Sequence, residues 1–330
     1  MKTKLLIGHF LKRFKYMAIV SALLLLTISV NSNGYIQPAY GINKGAGFYK
    51  NESQPRMFLI TVVDSEDDSI GKRCAVDLED VIYSFEDIAD WLDVEMVEPK
   101  VIKGDQFSKA AVNDAIDNWL KYQEPGEDDI VVFYYSGHGF RYPGDASPYP
   151  RMWLKTAQDR NPKTTNLRME EDIYNRIIKM GAGVNIIVSD CCNTTEAGDI
   201  ANFDAVTVPT RQRVKHKREK PREEDADDDV DYGDKLFIPG HPLSILATAA
   251  EKGEFAGGKA ETGGFFTNYF LDALDDCIYD NRLAPAWGNI FKYADDNASY
   301  WAKSAECPQA KHNEQGRCVQ TVKYKMEDSN

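Results

Sequence analysis

Four short apolar runs, at 57–63, 131–135, 186–188 and 243–248, constrain this chain more than any other feature. They are too short and too β-branched for buried helices, and read as strands covered on both faces. Between them, apolar residues recur three or four positions apart. Val76, Val81, Phe85, Ile88 and Leu92 mark a helix over 75–92. Ala111, Ala115, Trp119 and Leu120 mark one over 108–122, with Asp105 as its expected cap. Met169, Ile173, Ile177 and Met180 mark a third over 169–180, and helices are also expected from 265 to near Cys277 and over 290–301. Shorter strands are expected around 99–102 and 152–154. Strands alternating with helices imply right-handed crossovers, hence an α/β fold with a mainly parallel central sheet and helices on both faces.

Two of the runs end in reactive residues. The run 131–135 stops at Ser136-Gly137-His138-Gly139, and 186–188 stops at Ser189-Asp190-Cys191-Cys192. Ligands of parallel sheets bind outside the carboxyl ends of strands, so both stretches belong at such an edge. A thiol becomes a nucleophile as thiolate, and a neighbouring imidazole can take its proton. His138 and Cys192 are 54 positions apart, so only the fold can bring them together. The glycines flanking His138 are expected to leave room for a substrate backbone. Backbone N–H groups of Gly139 and Cys192 are candidate donors to an oxyanion. Side chains at i and i+2 of a strand share a face, so Asp190 and Cys192 should point together and Cys191 away.

The 330 residues are 43% hydrophobic and carry a formal charge of −13, enough for one large or two small domains. Such acidity argues against a nucleic-acid partner, which needs clustered Lys and Arg. Lys2, Lys4, Lys12, Arg13 and Lys15 precede an uncharged apolar run over 17–30. Its length favours a signal peptide at 1–33 over a retained membrane anchor. Export is therefore expected, with membrane contact only if the segment stays. Residues 34–55 read as a linker. Export permits disulfides, and Cys307 and Cys318, in a polar tail, are a candidate pair. Cys277 reads as a buried apolar thiol. Asn51, Asn193 and Asn297 begin glycosylation sequons.

Composition breaks sharply at 211–235. Arg211, Arg213, Lys215, Lys217, Arg218, Lys220 and Arg222 run into a block of aspartates and glutamates. Such a block buries little and reads as an exposed, cleavable loop between a region 56–210 and a region 236–330 with its C-terminal tail.

Together and in this order, the Ser136–Gly139 and Ser189–Cys192 motifs resemble those of caspase-like cysteine peptidases, the metacaspase branch most of all. Gly263-Gly264-Phe265-Phe266-Thr267 also resembles a segment of that fold, and the likeness spans about 56–300. The resemblance implies a three-layer sandwich, Cys192 as nucleophile and His138 as general base. It implies large-subunit-like and small-subunit-like regions on either side of the charged loop. It also implies a first specificity pocket built from Cys74, Asp77, Ser136 and Asp190. Two carboxylates there would select Lys or Arg. The plainer alternative is that Asp77 caps a helix and Asp190 orients its loop. An enzyme of that specificity would find its own first substrate in 211–222.

Two departures accompany the likeness. Asn193-Thr194-Thr195 follows the nucleophile where many metacaspases have His-Ser-Gly, and the segment after Gly139 has one acid, Asp145, where calcium-binding relatives have several. No cofactor and no metal is expected, and calcium has no support. The expected partners are polypeptide substrates. A catalytically silent binding protein and a transpeptidase or ligase using the same dyad stay open as alternatives.

Overall fold

The computed structural model describes residues 54–195, 232–280, 282–307 and 311–328. The segment 1–33, most of the linker, the seven basic residues from Arg211 to Arg222, and Asn51 lie outside them.

The apolar runs are strands β1 (Arg56–Val63), β4 (Ile130–Ser136), β8 (Val184–Asp190) and β9 (Leu243–Thr248). They pair parallel in the order β9-β8-β4-β1. Two short strands, β2 (Glu95–Met96) and β3 (Lys100–Lys103), both pair with β1 and widen that edge. At the other edge, β12 (Lys323–Asp328) runs antiparallel to β9. Its alternation of Lys, Glu and Asp with Tyr and Met is what an edge strand needs to stay soluble. Read by composition alone, it was part of a polar tail.

Because β4 and β8 are buried from end to end, and β1 from Met57 onward, each sheet face needs its own cover. The helices Gly71–Leu92, Phe265–Ile278 and Trp287–Ala302 cover one face, where Val81, Phe85, Phe270 and Phe291 meet Leu59, Val132 and Ile186. On the other face Val112, Ile116, Ile173 and Ile177 meet Phe58, Phe133 and Ile187. This is the three-layer α/β sandwich with a mainly parallel sheet. Two local expectations change. Ser108, not Asp105, caps the helix that begins at Lys109: its Oγ accepts from Ala111 N–H at 3.2 Å, while Asp105 sits in a preceding 3-10 turn. The helix expected over 169–180 opens as a π-helical turn at Met169–Tyr174 and ends with Asn175–Ile177.

A small antiparallel sheet of β5 (Gly139–Phe140), β6 (Arg151–Trp153) and β7 (Asn166–Arg168) stands beyond the end of β4. A two-stranded piece, β10 (Gly258–Lys259) and β11 (Gly263–Gly264), precedes the helix Phe265–Ile278. A disulfide joins Cys307 and Cys318. Cys277 is a buried free thiol. No helix among the described residues is long and apolar enough to cross a membrane.

Candidate active site

Strand register assembles the site. Ser136 pairs with Asp190, so β4 and β8 leave the sheet at the same level. His138 and Cys192 each lie two residues beyond that level, on chains about 5 Å apart. The exit is tied twice: Asp64 N–H donates to Ser136 C=O at 3.0 Å, and Gly137 N–H to Asp190 C=O at 3.4 Å.

The two motifs then touch through Gly139. A Cβ there would overlap the Cys192 carbonyl oxygen and come within 2.6 Å of Cys191 Sγ. A Cβ on Gly137 would meet the Tyr135 hydroxyl at 2.6 Å, and that hydroxyl donates to His138 C=O at 2.6 Å. The glycines around His138 therefore make room for the chain's own backbone and for Tyr135, not for a substrate. Trp153 N–H donates to His138 C=O at 2.9 Å, which makes 138 and 153 a hydrogen-bonded antiparallel pair. The next pair, Gly139 with Met152, is then of the other kind, and Gly139 N–H faces away from β6.

The two cysteines part company. Cys192 packs with the core on the Gly71–Leu92 side, and Cys191 with the core on the opposite face. Burial pushes the Cys191 thiol far up. Burial also raises Cys192, against the pull of the nearby Arg73 charge and of the Ala256 N–H, which donates to its Sγ at 3.4 Å. Asn193 holds the loop from below: its side-chain amide donates to Pro148 and Ala250 carbonyls at 2.9 and 3.2 Å, and its Oδ1 accepts from buried Arg141. A fully buried amide committed to these bonds cannot carry a glycan, so the Asn193 sequon is not a modification site.

The four pocket residues converge, and all are buried. Ser136 Oγ donates to Asp77 Oδ2 at 2.7 Å, and Gly264 N–H to Asp77 Oδ1 at 2.7 Å. Asp190 Oδ2 accepts from Thr267 N–H at 3.0 Å and Thr267 Oγ1 at 2.8 Å. Gly264 is the N-cap of the helix Phe265–Ile278 and has no side chain to offer, so Asp190 caps it from β8. Cβ atoms on Gly263 and Gly264 would overlap the carboxylates of Asp77 and Asp190. Burial, and then the charge of Asp190, lift Asp77 to about 7. Burial raises Asp190 against the pull of Arg73, and its Oδ1 has no hydrogen-bond partner among the described residues. Burial first, against the pull of Arg73, lifts the Cys74 thiol to about 12.

Three charged residues here were not singled out in the sequence. Arg73 is 7% exposed and donates to Ala256 C=O at 3.4 Å. Burial opposes its charge, and the surrounding Cys74, Asp190, Cys192 and Asp77 outweigh burial. Asp67 sits against His138, and Lys155 against Asp67. Spacing could not find them: Asp67 is one of four acids between 64 and 68, and Lys155 is an ordinary lysine of a long loop. Asp64, Asp67 and His138 bring three metal-type donors within 4.8 Å of one another, but the Lys155 ammonium already stands against both carboxylates. Burial lowers His138 while Asp67 raises it, so the imidazole is neutral near pH 7. A neutral imidazole and a neutral thiol at these two strand ends suit proton transfer on substrate binding.

The sequence profile of the family described as Caspase domain matches residues 68–312. No curated protein is similar enough to match. Among solved structures, a protein from Geobacter sulfurreducens is 14% identical, over 84% of this chain and 94% of that one, with a TM-score of 0.42. Caspase-1 from Spodoptera frugiperda is 10% identical over 82% and 87%, with a TM-score of 0.42. The Drosophila initiator caspase Dronc is 12% identical over 90% and 92%, with a TM-score of 0.39.

Proposed function

The chain belongs to the caspase-domain family, a family of cysteine peptidases, and from that premise we propose an exported endopeptidase of the metacaspase kind that cuts after arginine or lysine. The supporting observation is the common level at which β4 and β8 end, with Gly139 packed on Cys192.

In this reading Cys192 Sγ attacks the scissile carbonyl carbon and its proton passes to His138. The oxyanion is met by the N–H groups of Gly139 and Cys192. His138 then protonates the leaving amine as the C–N bond breaks. Water, deprotonated by His138, hydrolyses the thioester and restores the thiol. The peptide partner follows from the family; the amino-terminal signal and the basic loop 211–222, as leader and as first self-cleavage site, complete the proposal.

The preference for a basic side chain rests on the buried pair Asp77 and Asp190. Arg73 offsets part of their charge, and a substrate cation would add to it. Asp190 Oδ1, buried and without a partner among the described residues, is the acceptor that such a cation would satisfy. The resting site is closed, since Asp77 and Asp190 are each 2% exposed and Cys192 only 7%. That closure is also the one observation on which a silent binding scaffold could stand.

A fluorogenic peptide panel with Arg, Lys or Asp before the cut decides between these readings. Cleavage after Arg or Lys is expected. Cleavage only after Asp overturns the pocket reading, and no cleavage, even after nicking of 211–222, favours the scaffold. Amine nucleophiles added to the assay would reveal transfer in place of hydrolysis. Equal clipping of the wild type and of Cys192→Ala would end the self-processing idea.

A further inference from the structure

The carboxylate of Asp67 faces the imidazole of His138. Oδ2 lies 3.3 Å from Nε2, and the two side chains are 6% and 9% exposed. The contact is an ion pair by distance, and among the described residues buried Nε2 makes no aligned hydrogen bond, so Asp67 is the acceptor nearest to hand. Asp67 cannot turn away. Its Oδ1 accepts from the N–H groups of Ser69 and Ile70, at 2.9 and 3.0 Å, at the entrance to the helix Gly71–Leu92. Its Oδ2 is shared between His138 and Lys155. The imidazole is walled on another side by Trp153, ring centres 5.6 Å apart. With Nε2 held toward Asp67, Nδ1 is the nitrogen left for the proton of Cys192.

We infer that Asp67 is a positioning residue that completes a Cys192–His138–Asp67 triad, holding the imidazole with its proton on Nε2 and its lone pair on Nδ1. The inference rests on the peptidase reading above. Asp67 takes no proton itself. When Nδ1 accepts the thiol proton, the new positive charge lies against a fixed carboxylate. Burial works against that carboxylate's charge, but the contacts with His138, Lys155 and Ser69 hold Asp67 well below the usual carboxylate range. Lys155 sets how much of the charge His138 feels. The charged groups facing His138 are thus Asp67, Lys155 and Arg73, with Asp64 behind Lys155.

The test is the titration of His138 by NMR in a Cys192→Ala background, with the chain's five histidines told apart by substitution. Asp67→Asn keeps an acceptor for the helix entrance and removes the charge. It should lower the His138 pKa by about one unit or more. In the active background it should lower kcat by about 10²-fold with little change in KM, and Asp67→Glu should recover part of the loss. Lys155→Met should move His138 the other way, upward. Opposite shifts from the two variants do not arise from a loosened fold. A His138 titration unmoved by both variants overturns the triad. Absence of peptidase activity in the wild type would instead count against the peptidase reading, and the two shifts would still decide the role of Asp67.

Discussion

Arg73 donates to the carbonyl of Ala256 at 3.4 Å, and the N–H of the same residue donates to Cys192 Sγ at 3.4 Å. A buried cation is thus linked through one residue to the candidate nucleophile. Its charge works against the rise in the Cys192 pKa that burial causes. Replacing Arg73 with Met should move the pH profile of Cys192 alkylation by iodoacetamide upward, with the modified site read by mass spectrometry. An unchanged profile would mean that the guanidinium braces the 254–258 loop without acting on the thiol.

The raised pKa of Asp77 makes stability depend on pH. Its folded-state value, about 7, lies above the unfolded one, near 4. The fold therefore holds a proton that the unfolded chain releases, and stability is lost as pH rises from about 4 through about 7. Asp77→Asn keeps an acceptor for Gly264 N–H and can accommodate Ser136. The variant should show a smaller drop in Tm between pH 5 and pH 8 than the wild type does. Equal drops in calorimetry would mean that Asp77 is ionised throughout.

Gly139 has no space for a methyl group, because the Cys192 carbonyl and the Cys191 thiol fill it. Gly139→Ala should destabilise the fold by about 1–3 kcal/mol, the usual range for overpacking. It should cost far more in activity, since the same shift separates the His138 and Cys192 chains. A variant with a lowered Tm but wild-type kcat would break the link between this contact and catalysis.

The Cys307–Cys318 disulfide closes a loop of sequence separation 11. Chain-entropy arguments give such a bridge about 3 kcal/mol, so Cys307→Ser with Cys318→Ser should lower Tm by roughly 6–12 °C. The segment behind it reaches the site: Gln320 accepts from Gly257 N–H at 2.9 Å, and Thr321 N–H donates to buried Glu254 at 2.7 Å. The double variant should therefore also lose activity at temperatures where it remains folded. Full activity there would separate the bridge from the loop that faces Cys192.

Much of the architecture is legible in the sequence. The runs 57–63, 131–135 and 243–248 coincide with strands within a residue or two, because a short, largely β-branched or aromatic apolar run covered on both faces is best accommodated as a buried strand. Helix bodies were clear and their ends were not. Ser108 and Asp105 are both good caps by type, and the choice depends on which residue turns its oxygen to the first N–H groups. Lys323–Asp328 was hidden because an edge strand carries charges that resemble those of a tail.

The residues around the reactive pair divide in the same way. Local chemistry marked His138, Cys191 and Cys192 at strand ends, with Ser136 and Asp190 beside them, and the family resemblance pointed to Asp77 and Cys74. Nothing local marked Arg73, Asp67 or Lys155, whose neighbours come from distant parts of the chain. Register did the rest: Ser136 opposite Asp190 is a property of two strands pairing, and it alone sets His138 and Cys192 at one height. Burial then fixed the charges, since a carboxylate near 7 or a neutral imidazole depends on how much water the packed layers exclude. The sequence by itself determined which side chains stand at the ends of the strands, because alternation and run length act within a few residues. The tertiary structure decided which of them meet and with what charge, because pairing and desolvation act between segments far apart in the chain.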